Sequence, residues 1–378
     1  MADDDDGTDP GLAGLSPEFQ AMVGGLAGHT ASFAKVLERR TKVSKEAGQK
    51  KDDEDFFESY ADLDIHEEML KDLPRVEAYR AAIERHGEEW AREGGVSVID
   101  VGSGTGLLAV LCARAGAKRV LAVEASRLAH FLRQVVDANS QAGAVEVHEC
   151  RAEDLQLPAG ESVDVIVSEW MGYCLLYENM LPSVLAVRDK YLKPGGIMLP
   201  SRCRLQMAPL EDDAWRKSKV DFWQDVHGID MSALVPLATA TACEKPQHRV
   251  VAASSLLAPP FEVLALDLAT VKDAELGRFE TNLSFEVPAG RRLDGFVAWF
   301  ECDFGVAGQL LSTSPSEAPT HWRQTVFSLR QPLDGGGGRT VEGLVTIERH
   351  EAYSRGYRVT FELKCPGRKR RMESFELR

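Results

Sequence analysis

The segment from Val96 to Trp170 alternates β-branched runs with helical stretches, and this alternation constrains the fold more than any other feature. VSVIDVGSGTG is an apolar run that ends in glycines, and LLAVLCARAGA follows it with helical character. RVLAVEAS, VEVHECRAEDL and SVDVIVSEW supply three further strands. Strands that alternate with helices form a parallel sheet with right-handed crossovers. We therefore predict a Rossmann-like α/β domain over residues 96–200.

The second half of the chain has a different pattern. RLDGFVAWFECDF, TVEGLVTIERH and YRVTFELKC are short alternating strands bounded by turns, which is typical of an antiparallel barrel or sandwich. We place this domain at residues 201–378, with an inserted helical arm at about 211–238. Residues 52–95 have helical periodicity and are predicted to form a lid. The acidic and polar residues 1–51 are predicted to be largely disordered.

Composition excludes several functional classes. The net charge is −15, which does not suit a duplex-DNA binder. No run of 18 apolar residues occurs and MADDDDGTDPG has no apolar core, so neither a membrane span nor a secretory signal is expected. The seven cysteines contain no CxxC pair, which favours reduced thiols over a disulfide framework or a zinc site. We expect a cytoplasmic or nuclear protein with no metal.

The glycine-rich loop predicts a cofactor site. Gly102, Gly104 and Gly106 lie between a strand and a helix, where glycine permits close backbone approach to a ligand. Glu124 ends the next strand and could hold a ribose hydroxyl pair. Nicotinamide enzymes use a similar acid but a GxGxxG spacing, whereas the GxGxG spacing here favours S-adenosylmethionine. A nicotinamide-dependent dehydrogenase and a tight turn without ligand are the alternatives.

The stretch SEWMGYCLLYENML carries two carboxylates, Glu169 and Glu178, and no cation. Burial of an unpaired carboxylate is costly, and the pKa of one member of a close acidic pair rises. The pair is explained if a cation from outside the segment binds between the two carboxylates. The alternative is one acid at the edge of the core and one acid that caps a helix.

Several segments together resemble the protein arginine methyltransferases. FFESYADLDIHEEMLKD, VGSGTG, VEAS, SEWMGYCLLYENML and THW occur in this order, and the resemblance extends from about Phe56 to the C-terminus. The type I group, which forms asymmetric dimethylarginine, is the most similar. The resemblance implies a lid, an S-adenosylmethionine domain, a β-barrel and a dimerisation arm that contains FWQDVHGIDMSAL. It also implies a homodimer that acts on arginine-rich proteins such as histone tails and glycine-arginine-rich proteins. Neither membrane association nor direct nucleic-acid binding is expected.

The resemblance also assigns site residues by position. Glu169 and Glu178 would clamp the substrate guanidinium, with Met69 near the attacking nitrogen. The other catalytic residues implied are Tyr60 of the lid and the pair formed by His321 of the THW loop and Asp72. The cofactor residues implied are His66, Arg80, Asp100, Gly102, Gly104, Glu124, Ala125 and Glu153. Arg80 would face the methionyl carboxylate, Glu124 the ribose and Glu153 the adenine. One departure is Phe56-Phe57, where the family usually has Tyr-Phe.

The two glutamates suggest a mechanism. A guanidinium is planar, charged and a poor nucleophile because its lone pairs are delocalised. Two carboxylates can draw positive charge toward the nitrogens that they contact, so that the remaining nitrogen attacks the sulfonium methyl. The proton could leave to Glu178 or to the His321–Asp72 pair. A scaffold that binds peptides without turnover is the competing hypothesis. Met69 and the THW loop predict monomethylarginine and then asymmetric dimethylarginine.

Overall fold

The computed structural model describes residues 51–53, 56–58, 60, 62–92, 94–365, 367 and 369–378. The arm predicted to be disordered, residues 1–51, lies outside the described residues apart from Lys51. The following description concerns residues 52–378. Residues 52–53 and 56–58 are helical. The helices that follow are α1 (Leu63–Lys71), α2 (Leu73–Arg92), α3 (Leu107–Arg114), α4 (Leu128–Ala138), α5 (Leu181–Tyr191), α6 (Asp213–Lys219) and α7 (Val235–Ala242).

The first two helices form the predicted helical region before the sheet. The helix α2 buries Val76, Tyr79 and Ile83, as the periodicity predicted. Leu70 and Leu73 continue the same three- and four-residue spacing toward the N-terminus, but both are exposed. The helical conformation is interrupted at Asp72, between α1 and α2. A single helical periodicity therefore does not continue across the two leucines.

The first sheet is parallel and has the order β3-β2-β1-β4-β5. Its strands are β1 (Ser97–Val101), β2 (Arg119–Glu124), β3 (Val145–Glu149), β4 (Val163–Val167) and β5 (Leu192–Leu199). The strand order reverses between β1 and β4, so the loops that leave their carboxyl ends diverge and open a crevice, where ligands bind in such sheets. This topology brings the glycine loop after β1 next to Glu169, which follows β4. The sequence analysis named only the first four strands.

The second half contains two antiparallel sheets. One has the order β7-β12-β10-β6-β8 with β11 paired to β10, and the other has the order β15-β14-β13-β9. The strands are β6 (Arg202–Leu210), β7 (Gln247–Arg249), β8 (Phe261–Asp267), β9 (Arg278–Val287), β10 (Arg292–Asp303), β11 (Leu310–Ser312), β12 (Gln324–Asp334), β13 (Arg339–Arg349), β14 (Tyr357–Lys364) and β15 (Arg371–Leu377). Aromatic side chains join the sheets, with the rings of Phe296 and Phe361 stacked at 4.4 Å between centroids. The predicted fold class is therefore confirmed.

The predicted arm interrupts these sheets between β6 and β7. It contains α6 and α7, joined by short 3-10 turns. Phe222 is 48% exposed, and Ile229 and Leu237 are also exposed. On the parallel domain, α4 exposes Phe131 and Val135. Exposed apolar patches of this kind commonly mark protein–protein contacts.

Within the described part of the chain, no helix has both the length and the apolar character needed to cross a membrane. Across the same residues, no group of three or more histidine, cysteine or acidic side chains is arranged to hold a metal ion.

Candidate active site

A cavity of about 320 Å³ lies at the crevice of the parallel sheet. The lid, the glycine loop, the loop after β4 and the THW loop all contribute to its wall. Most of the predicted site residues line it, namely Tyr60, His66, Met69, Gly102, Gly104, Glu124, Ala125, Glu153, Glu169, Glu178 and His321. Most of the residues predicted from the sequence therefore lie around one cavity. Their presence on its wall does not by itself assign a role to each of them.

The glycine loop has a backbone that only glycine adopts readily. Gly102 and Gly104 have φ angles of +74° and +53°. A Cβ atom at residue 102 would lie 2.5 Å from Cε of Met180, and one at residue 104 would lie 3.0 Å from Cε1 of His66. The amide of Gly102 donates to the carbonyl of Val123 over 2.9 Å, which holds the loop against β2. The loop is thus a cradle whose space a side chain would fill.

Glu124 is buried beside this cradle. Its carboxylate accepts hydrogen bonds from the amides of Gly104 (2.8 Å) and Ser126 (2.7 Å). An ionised carboxylate has about four lone-pair positions, so it retains acceptor capacity for a hydroxyl pair. This donor and acceptor set fits the ribose of the predicted cofactor. Asp100, also predicted, is not on the cavity wall, and complete burial raises its pKa to about 7.

Glu153 lines the other end of the cavity. Its carboxylate accepts a hydrogen bond from the Ser183 hydroxyl, and its side chain is partly exposed. Both residues lie on the cavity wall, where an acceptor could meet an amino group of a ligand.

Arg80 does not lie where the sequence analysis placed it. Its side chain is 42% exposed and lies 3.5 Å from Glu77, outside the cavity wall. Arg75 lines the cavity instead, and its Nε donates to Oε2 of Glu169 over 3.1 Å. Five residues along a helix rotate a side chain by about 140°, so Arg75 and Arg80 face different directions. The periodicity does not distinguish the two arginines, because Arg75 lies four residues from the buried Tyr79 and Arg80 lies four residues from the buried Val76.

The two glutamates converge on the cavity, each held by a residue of the lid region. Arg75 binds Glu169, and the Tyr60 hydroxyl donates to Oε2 of Glu178 over 2.7 Å. Burial raises the pKa of Glu178 to about 7, opposed by the Tyr60 hydrogen bond and by the charge of Arg355, while the charge of Glu169 adds to the rise. The sequence predicted that one carboxyl of the pair would have a raised pKa, and Glu178 has it.

The loop that carries the glutamates has an unusual backbone. Four of its non-glycine residues have left-handed φ angles between +49° and +73°, namely Cys174, Leu175, Glu178 and Asn179. Each such residue costs about 1–3 kcal/mol and persists only where the surroundings fix it. Trp322 of the THW loop provides one constraint, since its indole N–H donates to the carbonyl of Met171 over 2.8 Å.

His321 and Asp72 are paired as predicted. Nδ1 of His321 lies 2.6 Å from Oδ2 of Asp72, and the His321 amide donates to the same oxygen over 2.8 Å. Burial opposes ionisation of Asp72, but these bonds and one from the Arg75 amide hold its pKa below the ordinary value. The carboxylate orients the imidazole, which lines the cavity, and Asp72 itself does not line it.

Arg355 is a cavity residue that the sequence analysis did not identify. It precedes β14, 177 residues after Glu178, and its guanidinium donates to the Glu178 carbonyl over 2.9 Å. A single arginine in EAYSRGY has no local signal for such a contact, because only the tertiary fold brings the two segments together.

Comparison with known protein families matches two descriptions to this chain. Residues 98–196 match a methyltransferase domain, and residues 201–368 match the arginine methyltransferase oligomerization subdomain. A relative in Oryza sativa subsp. japonica, named probable protein arginine N-methyltransferase 6.1, is 41% identical over 82% of this chain and 85% of its own length. Protein arginine N-methyltransferase 6 of Xenopus laevis is 37% identical over 86% of this chain and 95% of its own length.

The chain belongs to the protein arginine methyltransferase family. Protein arginine N-methyltransferase 1 of Schizosaccharomyces pombe is likewise 38% identical over 83% of this chain and 90% of its own length. The predicted family and enzyme class are therefore confirmed, and the oligomerization subdomain indicates that the enzyme assembles into oligomers.

Solved structures give the same result for the fold and the cofactor. The PRMT1 enzyme-prozyme heterotetrameric complex of Trypanosoma brucei with AdoHcy has a TM-score of 0.75 at 31% identity, over 85% of this chain and 100% of that chain. The crystal structure of PRMT6-SAH has a TM-score of 0.64 at 30% identity, over 80% of this chain and 100% of that chain. The predicted cofactor, S-adenosylmethionine with S-adenosylhomocysteine as product, is confirmed.

Proposed function

We propose that this enzyme methylates a terminal guanidino nitrogen of arginine in proteins, first to monomethylarginine and then to asymmetric dimethylarginine. The observation that carries the proposal is the convergence of Glu169 and Glu178 on the cavity that the glycine loop also lines. A dehydrogenase would have no use for a pair of carboxylates whose positions are fixed by Arg75 and Tyr60, and a scaffold that binds peptides without turnover would have no use for the glycine loop beside them.

The substrate guanidinium binds between the two carboxylates. Its planar fork of N–H donors matches a pair of carboxylate acceptors. Arg75 fixes the orientation of Glu169, and Tyr60 fixes that of Glu178. The carboxylates attract positive charge to the nitrogens that they contact, so the third nitrogen retains more lone-pair character. Orientation and preset charge supply much of the rate enhancement in such sites.

The cofactor supplies an electrophilic methyl group on its sulfonium centre. Gly102 and Gly104 admit its close approach, Glu124 accepts from its ribose, and Glu153 accepts from its adenine amino group. Arg75 would hold its carboxylate in place of Arg80, because Arg75 is on the cavity wall and Arg80 is not. His66 lies against Gly104 and limits the space beside the loop.

Glu178 is the proposed acceptor of the proton that the guanidinium loses after methyl transfer. A pKa of about 7 suits a group that takes up and releases a proton near neutral pH. We assign the His321–Asp72 pair to holding the THW loop against the lid region.

The asymmetric product rests on the space around the attacking nitrogen. Met69 lines the cavity, and its unbranched side chain adapts to ligands of different size. A second attack by the same nitrogen needs room for the first methyl group, which a flexible thioether can provide.

We also propose that the oligomer is a homodimer, with the exposed apolar residues of the arm packed on a second copy. Phe222 and Leu237 of the arm and Phe131 of α4 are apolar surfaces that such a contact would cover.

Arginine-rich proteins, including histone tails and glycine-arginine-rich segments, are the proposed substrates. An intracellular location, cytoplasmic or nuclear, suits the seven cysteines, all of which are free. Fractionation of cells that express the protein would test the location.

The test is incubation with labelled S-adenosylmethionine and a glycine-arginine-rich peptide, followed by acid hydrolysis and chromatography that resolves the methylarginines. We expect monomethylarginine early and asymmetric dimethylarginine after exhaustive reaction. A symmetric product would contradict the product assignment, and absence of label on arginine would contradict the activity.

A further inference from the structure

Arg355 forms two contacts with the main chain of Glu178. The Glu178 amide donates to the Arg355 carbonyl over 2.9 Å, and the Arg355 guanidinium donates to the Glu178 carbonyl over 2.9 Å. Glu178 has a φ of +73°, a conformation that a non-glycine residue keeps only when its surroundings fix it. One residue therefore satisfies both main-chain polar groups of the strained glutamate.

The same guanidinium also holds the lid. Its Nε and a terminal nitrogen donate to Oδ1 of Asp53 over 3.0 and 2.6 Å, and its central carbon lies 3.8 Å from the centroid of the Phe56 ring. The Arg355 and Asp53 side chains are about nine-tenths buried. Disruption of a buried ion pair of this kind is costly, so the contact favours one position of the lid strongly.

The lid also contacts the side chain of Glu178. The hydroxyl of Tyr60, seven residues after Asp53, donates to the Glu178 carboxylate over 2.7 Å. Asp53 itself has no contact with Glu178 among the hydrogen bonds and ion pairs of the described residues. Arg355 thus connects Asp53 to the backbone of Glu178. The neighbouring Asp52 reaches the same loop through Ser354, which donates to Asp52 and whose carbonyl accepts from the Asn179 side chain over 2.9 Å.

We propose that Arg355 is a positioning residue that couples docking of the lid to alignment of Glu178, so that the guanidinium clamp is complete only when the lid is closed. This inference rests on the proposed role of Glu178 in arginine methylation. When Asp53 is docked, the guanidinium is held where it can reach the Glu178 carbonyl. When the lid leaves, Arg355 loses its carboxylate partner and its aromatic contact together, and the left-handed backbone of Glu178 loses part of its support.

The experiment compares Asp53→Asn, Arg355→Gln and the double variant in the full chain loaded with S-adenosylhomocysteine. The control is Arg358→Gln, which removes a more exposed arginine three residues further along the chain, in β14, where Arg358 donates to Glu376 over 2.8 Å. Hydrogen exchange followed by mass spectrometry reports on two segments, residues 52–60 of the lid and residues 172–180 of the glutamate loop. Retained binding of S-adenosylhomocysteine identifies the variants that are folded.

We expect Asp53→Asn to accelerate exchange in both segments, although Asp53 has no hydrogen bond or ion pair to residues 172–180 among the described residues. The double variant should exchange in residues 172–180 no faster than Arg355→Gln alone, because Asp53 acts on that loop through Arg355. The kcat of Asp53→Asn on an arginine peptide should fall about 10- to 100-fold, with a smaller change in the peptide KM, since misplacement of a catalytic group by about 1 Å has effects of this size. Arg358→Gln should match the wild type.

Two results would overturn the coupling. One is faster exchange in the lid of Asp53→Asn with no change in residues 172–180. The other is a kcat of Asp53→Asn equal to that of Arg358→Gln. A wild-type enzyme that fails to methylate arginine would refute the proposed function separately, and the exchange measurements would still decide whether the lid and the loop are coupled.

Discussion

Replacement of Glu178 by glutamine should stabilise the substrate-free enzyme while it abolishes turnover. Burial raises the pKa of the Glu178 carboxyl from its ordinary value of 4.5 to about 7. The folded protein therefore binds this proton more tightly than the unfolded chain does. The resulting contribution to stability is fully present below pH 4.5 and is lost as the pH rises through about 7. Glutamine is neutral at every pH and keeps an acceptor for Tyr60.

The magnitude follows from the pKa interval. Each pKa unit corresponds to about 1.4 kcal/mol, so ionisation of Glu178 in the folded state costs about 3 kcal/mol at pH 8.5. At pH 5 most of this cost is absent, and the same linkage gives about 1 kcal/mol. We expect Glu178→Gln to be more stable than the wild type by these amounts. Other buried acids, such as Asp100, are present in both proteins and cancel in the difference.

The assay is urea unfolding followed by tryptophan fluorescence, at equal protein concentration and at both pH values. Glu88→Gln serves as a control for the loss of a carboxylate, because Glu88 is exposed on α2. A variant whose free energy of unfolding equals that of the wild type at pH 8.5, or lies below it, would refute the reasoning. So would a stabilisation that does not change with pH.

Three further predictions concern the cofactor, the oligomer and the product. Arg75→Ala should weaken S-adenosylhomocysteine binding about 10- to 100-fold in calorimetry, because a hydrogen bond to a charged group contributes about 1.5–3 kcal/mol, whereas Arg80→Ala should leave it nearly unchanged. Equal effects of the two variants would contradict the assignment of the cofactor carboxylate to Arg75. Replacement of Phe222 and Trp223 by alanine should yield monomers in sedimentation, and a wild-type protein that is monomeric at micromolar concentration would contradict the homodimer. Met69→Phe should alter the ratio of mono- to dimethylarginine without abolishing methyl transfer, and an unchanged ratio would show that Met69 does not control the product.

The predicted residues that line the cavity are recognisable from the short stretches of sequence in which they occur. Gly102 and Gly104 stand between a strand and a helix, and Glu124 ends the next strand, so a parallel sheet places them together. Glu169 and Glu178 were identified because two acids without a cation need an external partner. Spacing along the chain and the sheet topology indicate where these residues lie, whereas the roles predicted for them come from the family resemblance.

The sequence prediction failed for residues whose place in the site depends on side-chain direction or on contacts between distant parts of the chain. The prediction named Arg80 and did not consider Arg75, which points about 140° away from Arg80 on the same helix. Arg355 has no local signal, since its contacts with Asp53 and Glu178 join parts of the chain that are 302 and 177 residues apart. The left-handed backbone of Glu178 could not be predicted from the sequence either, because glutamate has no preference for that conformation.

The central claim is that Glu169 and Glu178 together bind and activate the arginine guanidinium. Its most direct test is the single-turnover rate of methyl transfer to an arginine peptide by the wild type, Glu169→Gln and Glu178→Gln, each with saturating S-adenosylmethionine. Loss of one partner of a buried charged group costs about 3–5 kcal/mol, which corresponds to a fall of about two to four decades in rate. We predict a fall of this size in both variants, with S-adenosylhomocysteine binding retained. A rate within about tenfold of the wild type in either variant would contradict the account.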